Sequence, residues 1–155
     1  MDFYDWTLAL HLLAAFAVGA ALVVYSVLVV SGRRMTTLEQ TRALFRLAPA
    51  ATPLIAGGSV LVLVLGIVLA IDHDDYEVWN GWMIAAIVLW ALLGAVGQRS
   101  GKYYSAVQKL AESGDPTVEP EVLARLRAPT GAWLHLATVA LFLLLVLDMI
   151  FKPGA

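Results

Sequence analysis

The side chains best able to do chemistry near neutral pH in this 155-residue chain are its three histidines, and two of them stand where charge is disfavoured. His11 lies in LHLLAAFAVG, within a stretch that carries no charged residue from 6 to 32, and His135 lies in a second such stretch, 128–147. An imidazole there can hold a proton, ligate a metal or serve as the axial ligand of a b-type haem. Asp148 follows the last apolar stretch, and a carboxylate at such depth needs a partner, an interior face or water. Thr7, one turn before His11, and Asp72 fall at a comparable depth, which predicts an intramembrane polar cluster of His11, Asp148, Thr7 and Asp72.

His73 belongs to a different environment, the acidic run DHDDYE, where His73, Asp74 and Asp75 form a candidate site for a divalent cation. A solvated acidic loop is the competing reading. A second polar layer is expected toward the opposite ends of the spans, made by Tyr25, Ser26, Thr52, Gln98 and His135; it reads as register-fixing bonds between helices or as part of a pathway. His11 and His135 fall at opposite ends of antiparallel spans and cannot sandwich one haem, so a haem site would rest on His11 alone. The chain has no cysteine, which excludes disulfides, thiolate metal centres and cysteine nucleophiles. It also has no P-loop, nucleophile elbow, zincin helix or dinucleotide fingerprint.

The elements that must position these residues follow from composition. Hydrophobic residues make up 61% of the chain and charged residues 14%, with a mean hydropathy of +0.81, far from the usage of water-soluble domains. Uncharged runs occur at 6–32, 47–71, 78–98 and 128–147. About 20 apolar residues suffice to cross a hydrocarbon core of about 30 Å, so the expectation is an all-α integral membrane four-helix bundle with spans near 6–30, 48–71, 79–98 and 131–151. The whole of 1–155 reads as a single transmembrane domain. Phe3, Tyr4, Trp6, Trp79 and Trp82 read as interfacial anchors.

Lysine and arginine set the orientation. Arg33, Arg34, Arg42 and Arg46 lie between the first two spans and Arg99, Lys102, Lys109, Arg125 and Arg127 between the last two, leaving Lys152 alone on the other side. This bias predicts both basic segments in the cytoplasm and both termini outside. The basic residues read as orientation signals and contacts to anionic headgroups, not as a nucleic-acid surface.

Both basic segments carry helical signals. Thr36 and Glu39 have capping-box spacing, and Leu38, Leu44 and Phe45 lie on one side of a short amphipathic helix expected at the membrane surface. The third span is expected to continue through Tyr103, Val107, Leu110 and Ala111 to the stop SGDP, followed by another short helix from about Pro120 with Leu123 and Leu126. Pro49 and Pro53, with the flexible pair Gly57 and Gly58, predict a bend in the cytoplasmic half of the second span. Ala15 and Gly19; Gly58, Gly66 and Ala70; and Ala91, Gly94 and Gly97 read as small packing faces within the chain, with dimerisation as the alternative.

The segments LHLLAAFAVG, APAATPLIAGG, WNGWMIAAIVLWALLGAVG and DMIFKPG resemble those of a family of small four-span bacterial proteins, predicted integral membrane proteins of unknown function, which implies a place in a bacterial inner membrane. The early histidine followed by small residues is also similar to copper-resistance membrane domains and to the membrane haem proteins that oxidise protoporphyrinogen. That resemblance implies a ligand role for His11. Three functions follow as expectations: an accessory or assembly subunit with a membrane-protein partner or a second copy of itself, a haem- or metal-binding redox protein using His11, and a small oligomeric transporter using His11 and Asp148.

Overall fold

The computed structural model describes residues 2–72, 80–113 and 115–153. Its long helices are α1 (Phe3–Gly32), α3 (Ala48–Ile71), α4 (Gly81–Glu112) and α6 (Pro129–Phe151), each long and apolar enough to cross a membrane, packed as a bundle. Two short helices, α2 (Leu38–Phe45) and α5 (Glu119–Arg127), lie between them, the second preceded by a single 3-10 turn, Pro116–Val118. The chain is therefore a multi-pass membrane protein with four spans.

The spans pair as two antiparallel hairpins, α1 along α3 and α4 along α6. Glycines bring α1 and α3 into close contact. A Cβ added at Gly58 would lie 2.8 Å from Val18 Cγ2 and 3.2 Å from the Ala14 carbonyl oxygen. With no water to expel from lipid, such contacts and interhelical hydrogen bonds are what holds spans together. Between the hairpins, the Ser26 hydroxyl meets His135 Nε2 at 2.8 Å, and Trp90 Nε1 donates to the Ser59 carbonyl at 3.2 Å.

At one end the short helices form a cap. Leu38 and Phe45 of α2, Val107 and Ala111 of the α4 extension, and Val122 and Leu126 of α5 make one buried apolar cluster. Polar bonds stitch the same elements: Leu38 N donates to Glu119 Oε2 at 3.0 Å, Arg42 Nε to the Ala111 carbonyl at 2.6 Å, and Arg127 to the Met35 carbonyl at 3.1 Å. The apolar face of α2, expected at the membrane surface, meets the chain's own helices. It is covered by α4 and α5, and Thr41 is wholly buried beside Leu38 and Phe45 while Leu44 is only half-buried.

One local expectation also shifts. The N-cap of α2 is Thr37, whose side chain accepts from Gln40 N, while the Gln40 side chain accepts from Thr36 N and its hydroxyl; the Thr36–Glu39 box is displaced by one residue. Pro49 occupies the first turn of α3, where its missing N–H has no intrahelical role, and Pro53 is contained in an unbroken helix. The α4 extension and the α5 boundaries match the sequence reading closely.

Candidate functional site

The end of the bundle away from the cap holds His11, Thr7, Asp72 and Asp148, and the structure does not join them. His11 faces α3: its Cε1 is 3.1 Å from the point where a Gly66 Cβ would stand, and the ring approaches the backbone of Val62. Gly66 is thus the small residue that admits the imidazole between α1 and α3. Nδ1 of His11 is buried and has no hydrogen-bond partner. Thr7 is buried too, but its hydroxyl donates to the Phe3 carbonyl of its own helix at 2.9 Å. Asp72 caps the C-terminus of α3 and is exposed.

Asp148 faces the other hairpin. It lines a groove between α4 and α6 with Leu89, Leu144, Leu147, Phe151 and Pro153, and its Oδ2 is buried without a donor. Among the described residues no hydrogen bond or ion pair links His11 to Asp148. The reason is the pairing of spans: α1 turns its histidine toward α3, and α6 turns its carboxylate toward α4. Lys152, one turn beyond Asp148, takes a left-handed backbone (φ 42°) and carries its Nζ over the Trp82 ring at 5.4 Å. Trp82 is 4% exposed, packed with Ala70, Met83 and Met149, so it serves the core and not the interfacial belt expected for it.

A crevice of about 20 Å³ opens beside Gly66, lined mostly by apolar side chains of α3, α4 and α6 that include Val62, Met83, Trp90 and Met149. That space suits one water molecule. It does not admit a porphyrin.

The second polar layer is partly formed. Tyr25 pairs with Thr52 across α1 and α3 at 3.0 Å, and Ser26 with His135 across α1 and α6. Ser26 also lies 2.9 Å from the Leu22 carbonyl. A hydroxyl has one proton, so both contacts are satisfied when Ser26 donates to Leu22 and His135 donates from Nε2. Gln98 stays outside this layer, exposed on α4 and without a side-chain hydrogen bond among the described residues.

The acidic stretch with His73, Asp74 and Asp75 lies outside the described residues. Among the described residues no three histidine, aspartate or glutamate side chains converge on one point. The feature that sequence reasoning assigned differently is the small face of α4. Gly97 does pack inside, against Thr138, but Ala91, Gly94, Ala95 and Gln98 are exposed along one side, with nothing within 4 Å of a Cβ placed at Gly94. Compared with family models, curated proteins and solved structures, the chain matches none.

Proposed function

We propose that the chain is an accessory subunit of a bacterial inner-membrane assembly, held through the uncovered face of α4. The carrying observation is the row Ala91, Gly94, Ala95 and Gln98, at successive spacings of three, one and three residues on one side of the helix. Small residues let two helices approach closely, and an amide in or near lipid gains most from a partner on another helix. The same feature serves a membrane-protein partner or a second copy of the chain. The cap supports the subunit role by fixing the relative placement of the two hairpins through Arg42, Glu119 and Arg127. Nine of the ten lysines and arginines belong to the cap-side segments, which supports a cytoplasmic cap and outward termini.

The absence of native cysteine makes the test direct. Single cysteines at positions 91, 94 and 95 in native membranes should crosslink to a neighbouring helix, whereas cysteine at the lipid-facing position 60 of α3 should not. Equal crosslinking at all four, or none at 91, 94 and 95, overturns the reading.

One observation favours a second reading, a ligand role for His11: its orphaned Nδ1. The packing sets what that ligand can be. A haem does not fit, because the ring is held against Gly66 and the adjoining crevice has the volume of a water. A water molecule or one small ion does fit the donor set of a single imidazole nitrogen. A Soret band at one haem per chain in protein purified from haem-replete cells would reverse this judgement.

A further inference from the structure

The groove between α4 and α6 at the end away from the cap has a volume of about 320 Å³ and is open along its outer side. It is a shallow depression along the helix pair and not an enclosed cavity. Its described walls are Leu89, Leu144, Leu147, Phe151 and Pro153, and Asp148 is the one ionisable side chain among these described residues. Asp148 Oδ2 is shielded and meets no donor. The usual remedy would be Lys152, placed one helical turn away at ion-pair spacing. Its left-handed backbone ends α6 and directs its ammonium to the Trp82 ring instead. Asp148 therefore lines an apolar groove with one carboxylate oxygen shielded and, among the described residues, no cation bonded to it.

We infer that this groove binds a lipophilic cation, an alkylammonium whose charged head sits at Asp148 and whose hydrocarbon lies along Leu144, Leu147 and Phe151. Charge complementarity identifies the class. A divalent metal ion needs about six oxygen ligands, and the groove offers a single carboxylate. An alkylammonium needs one anion, apolar walls for its chain and, where available, an aromatic face such as that of Phe151. Access through the lipid suits a ligand that already partitions into the bilayer. The site stands apart from the α4 face proposed for assembly and does not depend on it.

Equilibrium dialysis of dodecyltrimethylammonium against the protein in phosphatidylcholine nanodiscs tests the assignment, with empty nanodiscs as the baseline and dodecanol as the uncharged control. A saturable component near one per chain is expected for the ammonium and none for dodecanol. Asp148→Asn should weaken it at least tenfold, and Leu147→Trp, which fills the groove and keeps the carboxylate, should do the same. Uptake equal to that of empty nanodiscs, or binding unchanged in Asp148→Asn, overturns the proposal. Should Asp148→Asn fail to fold, binding retained by Leu147→Trp overturns it equally.

Discussion

Gly58 of α3 rides directly over Val18 of α1: a Cβ at position 58 would stand 2.8 Å from Val18 Cγ2, closer than carbon atoms tolerate. Val18 is buried and β-branched, so it cannot swing aside, and the Ala14 carbonyl blocks the other direction at 3.2 Å. Gly58→Ala should therefore force α1 and α3 apart, with a loss of about 1–3 kcal/mol in a detergent unfolding titration. Gly57, its neighbour, has open space within 4 Å, and Gly57→Ala should be neutral or stabilising by up to about 1 kcal/mol. Equal effects of the two substitutions would mean that the α1–α3 contact is not where the structure puts it.

The Ser26–His135 bond is the side-chain bond found between α1 and α6 inside the spans, and its worth is measurable by a double-mutant cycle. Ser26→Ala and His135→Ala should each destabilise the bundle, with a coupling energy near 0.6 kcal/mol and below about 1.7 kcal/mol, the range for hydrogen bonds in lipid. A coupling indistinguishable from zero would make the two residues independent.

Fold class and span positions were legible because the length of an uncharged run and the placement of arginines are one-dimensional properties. Helix pairing was not. Equal depth suggested that His11 and Asp148 meet, but depth leaves the rotation of each helix undetermined. That rotation is fixed by contacts such as Val18 on Gly58 and His11 on Gly66, which involve residues distant in sequence. Likewise, the apolar faces of α2 and α5 were visible as faces, while their covering by Val107 and Ala111 depends on how far α4 projects beyond the bundle. From sequence alone the exposed Gly94 reads as internal packing, because a stripe of small residues looks the same whether it is filled by its own chain or left open.

Arg42 ties α2 to the end of α4 through a part-buried bond. Its Nε donates to the Ala111 carbonyl, one of the last-turn acceptors of α4 that lack an intrahelical donor, and its positive charge sits at the negative end of that helix. Arg42→Ala should cost about 1.5–3 kcal/mol of local stability, as for hydrogen bonds to charged groups. The expected readout is faster proteolysis between α4 and α5 with the spans left intact. Arg42→Lys should restore only part of the protection, since lysine lacks the planar guanidinium. Full restoration would assign the effect to charge alone.

The turn between α4 and α5 provides a pH-dependent test of the same region. Asp115 accepts hydrogen bonds from the Thr117 amide at 2.8 Å and the Thr117 hydroxyl at 2.7 Å, and these hold its carboxyl below the usual aspartate value. A carboxylate whose pKa falls on folding stabilises the turn fully above the unfolded value of about 3.9 and loses that contribution as pH drops through the lowered folded value. Hydrogen exchange at the Thr117 amide should therefore show protection, after correction for intrinsic rates, that is constant at neutral pH and declines only below about pH 4. Asp115→Asn retains an acceptor oxygen but cannot titrate, so its corrected protection should be lower at neutral pH and flat through the acid range. A decline already complete at pH 6, or one that persists in Asp115→Asn, would move the titrating group elsewhere.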